Sequence, residues 1–212
     1  MQQVLLRKSP GIQRRISPSK RFLDVAVVLL ALPVVMPVML LCVAAIWIED
    51  GRPFVFFQYR TGIGGRRFKM FKFRTMVTNA EELKKELAHL NELTYPDFKI
   101  SDDPRITRVG SFLRRTSLDE LPQLINVLIG NMSLVGPRPT SFAADTYELR
   151  HTERLEVTPG ITGLWQISGR SDIDFEERAK LDVEYLENQS FLYDLRILML
   201  TVYAIFSKRG AY

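Results

Sequence analysis

"VAVVLLALPVVMPVMLLCVAAIWI", residues 25 to 48, decides how everything around it is read: 24 consecutive residues carry no charged side chain. Wound as an α-helix at about 1.5 Å per residue, the run reaches roughly 36 Å. A bilayer's hydrocarbon core is about 30 Å thick, so the run is long enough to enter it. A secretory signal peptide is a poor reading, because the run is too long, starts late and lacks a small-residue cleavage site. Pro33 and Pro37 sit in its middle, and each removes a backbone donor and crowds the carbonyl four residues back.

The flanks are unusual for a spanning helix. Upstream stand Arg7, Lys8, Arg14, Arg15, Lys20 and Arg21 against Asp24; downstream, residues 51 to 74 hold Arg52, Arg60, Arg66, Arg67, Lys69, Lys72 and Arg74 and no acid. A spanning helix concentrates its Lys and Arg on the cytoplasmic side, and here both sides are basic. Basic flanks and a central break together describe a helix that enters, bends and leaves by one face; a kinked spanning helix stays open beside it. A break at membrane depth must satisfy its freed carbonyls, and the run holds no serine or threonine to help.

The remainder suits one domain: 212 residues, a net charge of +5, two histidines and the single Cys42. One cysteine excludes an internal disulfide and leaves a zinc site improbable. The positive charge calls for an anionic partner, which could be nucleic acid, a membrane surface or a phosphorylated substrate. "FVFFQYRTGIGGRRFKMFKFRT", 54 to 75, reads as two strands joined by a glycine turn, with Phe71 and Phe73 on one face and Lys72 and Arg74 on the other. "NAEELKKELAHLNEL", 79 to 93, reads as a surface helix capped by Asn79, in which His89 is structural. A helix is expected from Leu118 to Ile129, closed by Gly130. "SLVGPRP" reads as a stiff loop around Arg138, and "TPGITGLWQISGR", 158 to 170, as a glycine-rich loop able to approach a ligand. After a helix over 174 to 188, the C-terminal apolar run, 197 to 207, is too short to span and reads as an amphipathic helix lying in the interface, with a core helix as the alternative.

The chemistry, if any, centres on "TSLDELPQ", 116 to 123. Ser117 and Glu120 match a capping box, and Asp119 and Glu120 in a first turn would suit the helix dipole, so a purely structural reading is available. The other reading notes Arg114 and Arg115 just before these acids, with Arg138 and Lys72 placeable nearby: a carboxylate in such surroundings could attack phosphorus.

Several motifs now stand in order: "KRFLD", "FVFFQYRTG", "MFKFRTM", "RITRVGSFLRRTSLDELPQLINVLIGNMSLVGPRP", "PGITGLWQISGR" and "LDVEYLENQSFLYDLRILMLT". They closely resemble the bacterial sugar transferases, the monotopic phosphoglycosyl transferases, over about residues 19 to 208. The resemblance implies an enzyme moving a sugar-1-phosphate from a UDP-sugar to polyprenyl phosphate, undecaprenyl phosphate in particular. By carry-over Asp119 attacks the phosphate bearing the sugar and UMP leaves, while Glu120 supports the dyad as base or metal-orienting group. The family uses Mg²⁺ with the catalytic aspartate among its ligands, which places Asp119 as the metal ligand here. Arg114 and Arg138 fall on family arginines that would hold phosphates, Lys72 on the family's lysine, and Gln166 and Arg170 are assigned nucleotide-sugar contact. The family's break commonly has a serine before its proline; here Met36 precedes Pro37, and Pro33 is extra.

The implied fold class is α+β: a small, mostly helical cytosolic catalytic domain with short strands, anchored by a broken re-entrant N-terminal membrane helix and interfacial amphipathic helices. It divides into a basic segment, 1 to 21, a re-entrant membrane helix, 22 to 50, and the catalytic domain with its C-terminal interfacial helix, 51 to 212. With about 20 residues ahead of the membrane helix, the chain reads as a catalytic-core member. It would sit in the bacterial inner membrane with its site on the cytoplasmic face, among membrane lipids, with downstream glycosyltransferases as further partners and a homo-oligomer left open. A non-catalytic membrane scaffold is the alternative; nucleic-acid binding is disfavoured, since no recognition motif accompanies the charge.

Overall fold

The structure, a computed structural model, describes residues 16–92, 100, 102–141, 152–168 and 175–206. Helix α1 runs Pro18–Asp50. Its start is built for the purpose: Ser17 Oγ accepts from Lys20 N at 3.2 Å, and Pro18 takes the first helical position, where no donor is needed. It ends at Gly51, whose φ of 67° places it where a side chain would be strained, and whose N–H donates to Trp47 O. Pro33 and Pro37 both fall inside this one uninterrupted element. A proline deletes a single bond, and the flanking turns keep theirs, so the helix continues through both.

Both ends of α1 rest on the same domain. Lys20, Asp24 and Val28, spaced by four, are buried at the first end; Cys42 and Ile46 are buried at the other. At the first end Lys20 Nζ lies 2.5 Å from Asp194 Oδ2, and Asp24 Oδ1 accepts from Ser133 Oγ and Leu134 N, each at 3.0 Å. At the far end Glu49 accepts from the backbone N–H groups of Arg108 and Val109, and Arg74 pairs with Asp50 at 3.0 Å. The outward face is apolar and exposed, with Leu30 at 80% and Ile48 at 84%. Among the described residues α1 is the one helix long and apolar enough to cross a membrane.

Strands β1 (Val55–Thr61) and β2 (Arg67–Phe73) form the expected antiparallel hairpin, with Phe57 opposite Phe71 and Tyr59 opposite Lys69. Lys69 Nζ stands 4.5 Å from the centre of the Phe57 ring. Phe73 is buried, as the alternation requires, but Arg74 is buried too, drawn in by Asp50 and by the carbonyls of Asp50 and Gly51. The surface helix is shorter than its pattern: α2 spans Ala80–Glu86, a 3₁₀ turn follows over Leu87–Leu90, and Asn79 gives no side-chain cap. No residue of either piece is buried, so little tertiary packing holds them helical. His89 only meets the Glu86 carbonyl.

Helix α3 (Arg108–Arg115) and helix α4 (Gln123–Ile129) bracket the two acids, and Gly130 at φ 87° closes α4 as expected. The stretches read as loops around Arg138 and Gly160 instead contribute a second sheet, β3 (Ser133–Val135) parallel to β4 (Gly160–Thr162). Three residues per strand leave no alternation to detect, and the pairing is non-local. Helices α5 (Leu164–Ser168), α6 (Phe175–Asn188) and α7 (Phe191–Phe206) complete the α+β, mostly helical fold. Ile197 of α7 is in the main core with Val28, Val127, Met132, Val135 and Tyr185, while Leu192, Met199 and Tyr203 face outward. Helix α7 is thus a core helix on one side and an exposed apolar surface on the other.

Candidate active site

Helix α3 sets the site's position. Thr107 Oγ1 caps it by accepting from Gly110 N at 2.9 Å. Gly110 lies so flat on the end of the hairpin that a Cβ there would come within 2.1 Å of Thr75 O. One helical turn later, Arg114 Nε donates to Thr75 Oγ1 at 2.9 Å. The chain then turns sharply at Ser117, whose φ of 58° makes it the one non-glycine residue with positive φ among the described residues. This overturns the capping-box reading: Ser117 makes no side-chain cap, Leu118–Glu120 is a 3₁₀ turn, and α4 starts only after Pro122. The proline cannot donate inside a helix, so the acids are left on the turn ahead of it.

On that turn the two carboxylates meet different surroundings. Lys72 Nζ, from β2, lies 2.8 Å from Glu120 Oε1 and 3.5 Å from Asp119 Oδ2. Arg138 adds a fork to Glu120, with Nη1 donating to Oε2 at 3.2 Å and Nη2 donating to Oε1. Burial alone would raise the Glu120 carboxyl, but Arg138 and Lys72 hold it far below the usual carboxylate range. Asp119 goes the other way. Burial pushes its carboxyl above the ordinary value, Lys72 offsets part of this, and the charge of Glu120 adds to it. Burial also lowers the Arg114 guanidinium, opposed by Asp119 and Asp103. Side by side in sequence, one acid is charge-saturated and the other is an under-compensated, basic carboxylate in an electropositive recess.

The loop carrying Arg138 is gripped by its neighbours. Gly160 N donates to Pro137 O at 2.9 Å, Gly136 N to Thr162 O at 2.9 Å, and Arg154 Nη2 to Arg138 O at 3.0 Å. Of the residues singled out from sequence, Lys72, Arg138 and Glu120 meet directly, with Asp119 beside Lys72 and Arg114 anchored next to them on Thr75. Gln166 is not brought to the dyad by any bond its side chain makes here: Nε2 donates to Ile161 O, and its buried Oε1 has no hydrogen-bond partner. Arg170 lies outside the described residues. Thr75, Arg154 and Asp182 were not foreseen, because their importance comes from bonds across long separations in the chain. Nor was Gln123, fully buried with neither amide atom hydrogen-bonded.

No cluster of three or more His, Cys, Asp or Glu occurs among the described residues. The Asp119 carboxylate is nevertheless a fitting donor for Mg²⁺, which binds through one or two acids together with phosphate oxygens and water. The under-compensated charge of Asp119 suits such a cation.

Comparison with known proteins gives the context for this geometry. The family model described as "bacterial sugar transferase" matches residues 15–208. A galactosyl transferase of Streptococcus agalactiae, CpsE, is 47% identical over 91% of this chain and 43% of its own length. The exopolysaccharide production protein ExoY of Sinorhizobium fredii is 42% identical over 92% of this chain and 88% of its own. The UDP-glucose:undecaprenyl-phosphate glucose-1-phosphate transferase of Escherichia coli is 39% identical over 91% of this chain and 41% of its own. The chain therefore spans less than half the length of CpsE and of the Escherichia coli enzyme, and most of the length of ExoY.

Proposed function

Because the chain belongs to the bacterial sugar transferase family, we propose that it moves a sugar-1-phosphate from a UDP-sugar to polyprenyl phosphate, with Asp119 as nucleophile. The observation that carries this reading is the asymmetry of the acid pair. Glu120, saturated by Lys72 and Arg138, is poorly suited to attack. Asp119, buried and only partly offset by Lys72, retains the basicity a nucleophile needs.

An Asp119 carboxylate oxygen bonds to the phosphorus that bears the sugar, and the bond from that phosphorus to the bridging oxygen breaks, releasing UMP. An oxygen of polyprenyl phosphate then bonds to the same phosphorus, the bond to Asp119 breaks, and a polyprenyl-diphosphate sugar departs. Arg114 and Lys72 supply positive charge beside the transferred phosphoryl group, and Arg138 keeps Glu120 ionised and in place. Asp119 would hold Mg²⁺, which would supply charge neutralisation between anionic nucleophile and anionic substrate. The name of the Escherichia coli relative, with its UDP-glucose donor and undecaprenyl-phosphate acceptor, supports the choice of substrates.

The same reading places α1 as a re-entrant anchor in the bacterial inner membrane, with the site at the cytoplasmic face. It is supported by the docking of both ends of α1 on one domain and by the outward apolar faces of α1 and α7. Purified protein given Mg²⁺, polyprenyl phosphate and a panel of UDP-sugars should release UMP, and Asp119→Asn should abolish release. Wild-type turnover by that variant would remove the nucleophile assignment. For topology, Pro10→Cys and Arg60→Cys on a Cys42→Ala background should both label from the cytoplasmic side of intact cells; labelling of one alone from the periplasm would establish a span.

A further inference from the structure

Behind the dyad lies a buried ion pair that the reaction does not use. Arg154, on the 3₁₀ turn Glu153–Leu155, and Asp182, on α6, meet at 2.6 Å with side chains 5% and 1% exposed. Such a pair is a poor stabiliser, since replacing it by apolar groups of similar volume is often neutral or better. Its cost shows in Asp182: burial pushes that carboxyl up to about 7, against the pull of Arg154 and Arg178. What the pair does is specified by a third contact. Arg154 Nη2 donates to the backbone carbonyl of Arg138 at 3.0 Å, and the Arg138 side chain is the fork on Glu120.

We infer that Arg154 and Asp182 form a positioning clamp: α6, through Asp182, orients the Arg154 guanidinium, which holds the Arg138 carbonyl and so aims the Arg138 side chain at Glu120. This inference rests on the proposed role of the dyad and adds two positioning residues to it. Backbone bonds hold the same loop at Gly136, Pro137 and Thr140, and the clamp adds the contact at Arg138 itself. The clamp reaches Glu120 through Arg138, which makes its effect separable from a general structural role.

The test is a double-mutant cycle on the full chain, reading UMP release. Arg154→Lys keeps the charge and loses the guanidinium whose Nη2 meets both Asp182 and the Arg138 carbonyl, and should lower turnover about tenfold in the wild-type background. In an Arg138→Ala background the same change should cost less than about twofold, because the group it positions is gone. Equal losses in both backgrounds would overturn the clamp. Arg154→Ala should recover turnover with millimolar guanidinium when Arg138 is present and not when it is alanine; failure of rescue in a folded Arg154→Ala protein also overturns it. Asp182→Asn, nearly the same shape, provides the same comparison should the Arg154 variants not fold. The dyad is checked apart from this cycle: Asp119→Asn with wild-type turnover sinks the dyad reading, whereas equal losses in the cycle with Asp119→Asn inactive sink the clamp alone.

Discussion

Replacing Gly160 by alanine probes the joint on which the Arg138 loop depends. A Cβ at this position would lie 2.1 Å from Gly136 N, 2.5 Å from Thr162 O and 2.7 Å from Gly136 O, all backbone atoms, where ordinary contact begins at 3.4 Å. None of these can swing aside as a side-chain tip would, so the strands β3 and β4 must part by more than an ångström. Two hydrogen bonds, Gly160 N to Pro137 O and Gly136 N to Thr162 O, are stretched or lost. At about 0.5–1.5 kcal/mol each, with about 1–3 kcal/mol for overpacking, the loss reaches several kcal/mol. Restricting the unfolded chain returns about 0.4–1 kcal/mol, leaving a net loss of about 2–5 kcal/mol. For a chain of this size that corresponds to a melting midpoint lower by roughly 5–20 °C. Pro137 immediately precedes Arg138, so a displacement of this size also carries the fork off Glu120 and should cost about a hundredfold in UMP release. Gly62→Ala is the contrast: its Cβ would meet chiefly the Phe68 ring, at 3.1 Å, which can yield, and the expected loss is below about 1 kcal/mol. Thermal unfolding in detergent beside a UMP-release assay decides the matter. A Gly160→Ala protein with wild-type midpoint and wild-type turnover would refute the argument that backbone proximity fixes this loop.

The pH profile of adduct formation should show an acid limb above the ordinary carboxylate range: Asp119, raised by burial, is protonated and inert at low pH and gains activity as it ionises, while Glu120 stays charged throughout. A limb at or below the range of an exposed aspartate contradicts this. The stability contribution of Asp119 has the opposite sign, present below its unfolded value and lost as pH rises through the folded one. Glu49→Gln should lower stability by about 1 kcal/mol, because the carboxylate that caps two N–H groups of α3 becomes an amide with one acceptor oxygen; an unchanged midpoint would deny the cap. Tyr185→Phe should cost about 1–3 kcal/mol, since its hydroxyl lies 2.7 Å from Asp194 and 3.1 Å from Lys20 in a buried network tying α1 to α7. Chelating divalent ions should stop UMP release and Mg²⁺ should restore it; full activity in excess chelator would remove the metal from the reaction.

Much of the architecture was readable because it depends on local pattern. Twenty-four uncharged residues make a membrane-length helix whatever surrounds them, alternation with a glycine turn makes the hairpin, and Gly130 ends α4 through its own backbone freedom. The motif around Asp119 and Glu120 likewise identified the family, which the match over residues 15–208 bears out. What failed were readings whose outcome depends on distant partners. The Ser117 capping box is a valid local pattern, yet Glu120 is claimed by Lys72 and Arg138, and Ser117 turns left-handed instead. Strands β3 and β4 carry too few residues to announce themselves and exist through each other and the close-packed glycines.

Residue order alone therefore determined the long apolar helix, the hairpin and the position of the two acids, because periodicity, uncharged length and glycine's backbone freedom act between near neighbours. Only the tertiary structure decided how differently the two acids are surrounded. That difference arises from Coulomb interaction and desolvation: Lys72 and Arg138 approach Glu120 across separations of 48 and 18 residues, while Asp119 is buried with less charge to offset it.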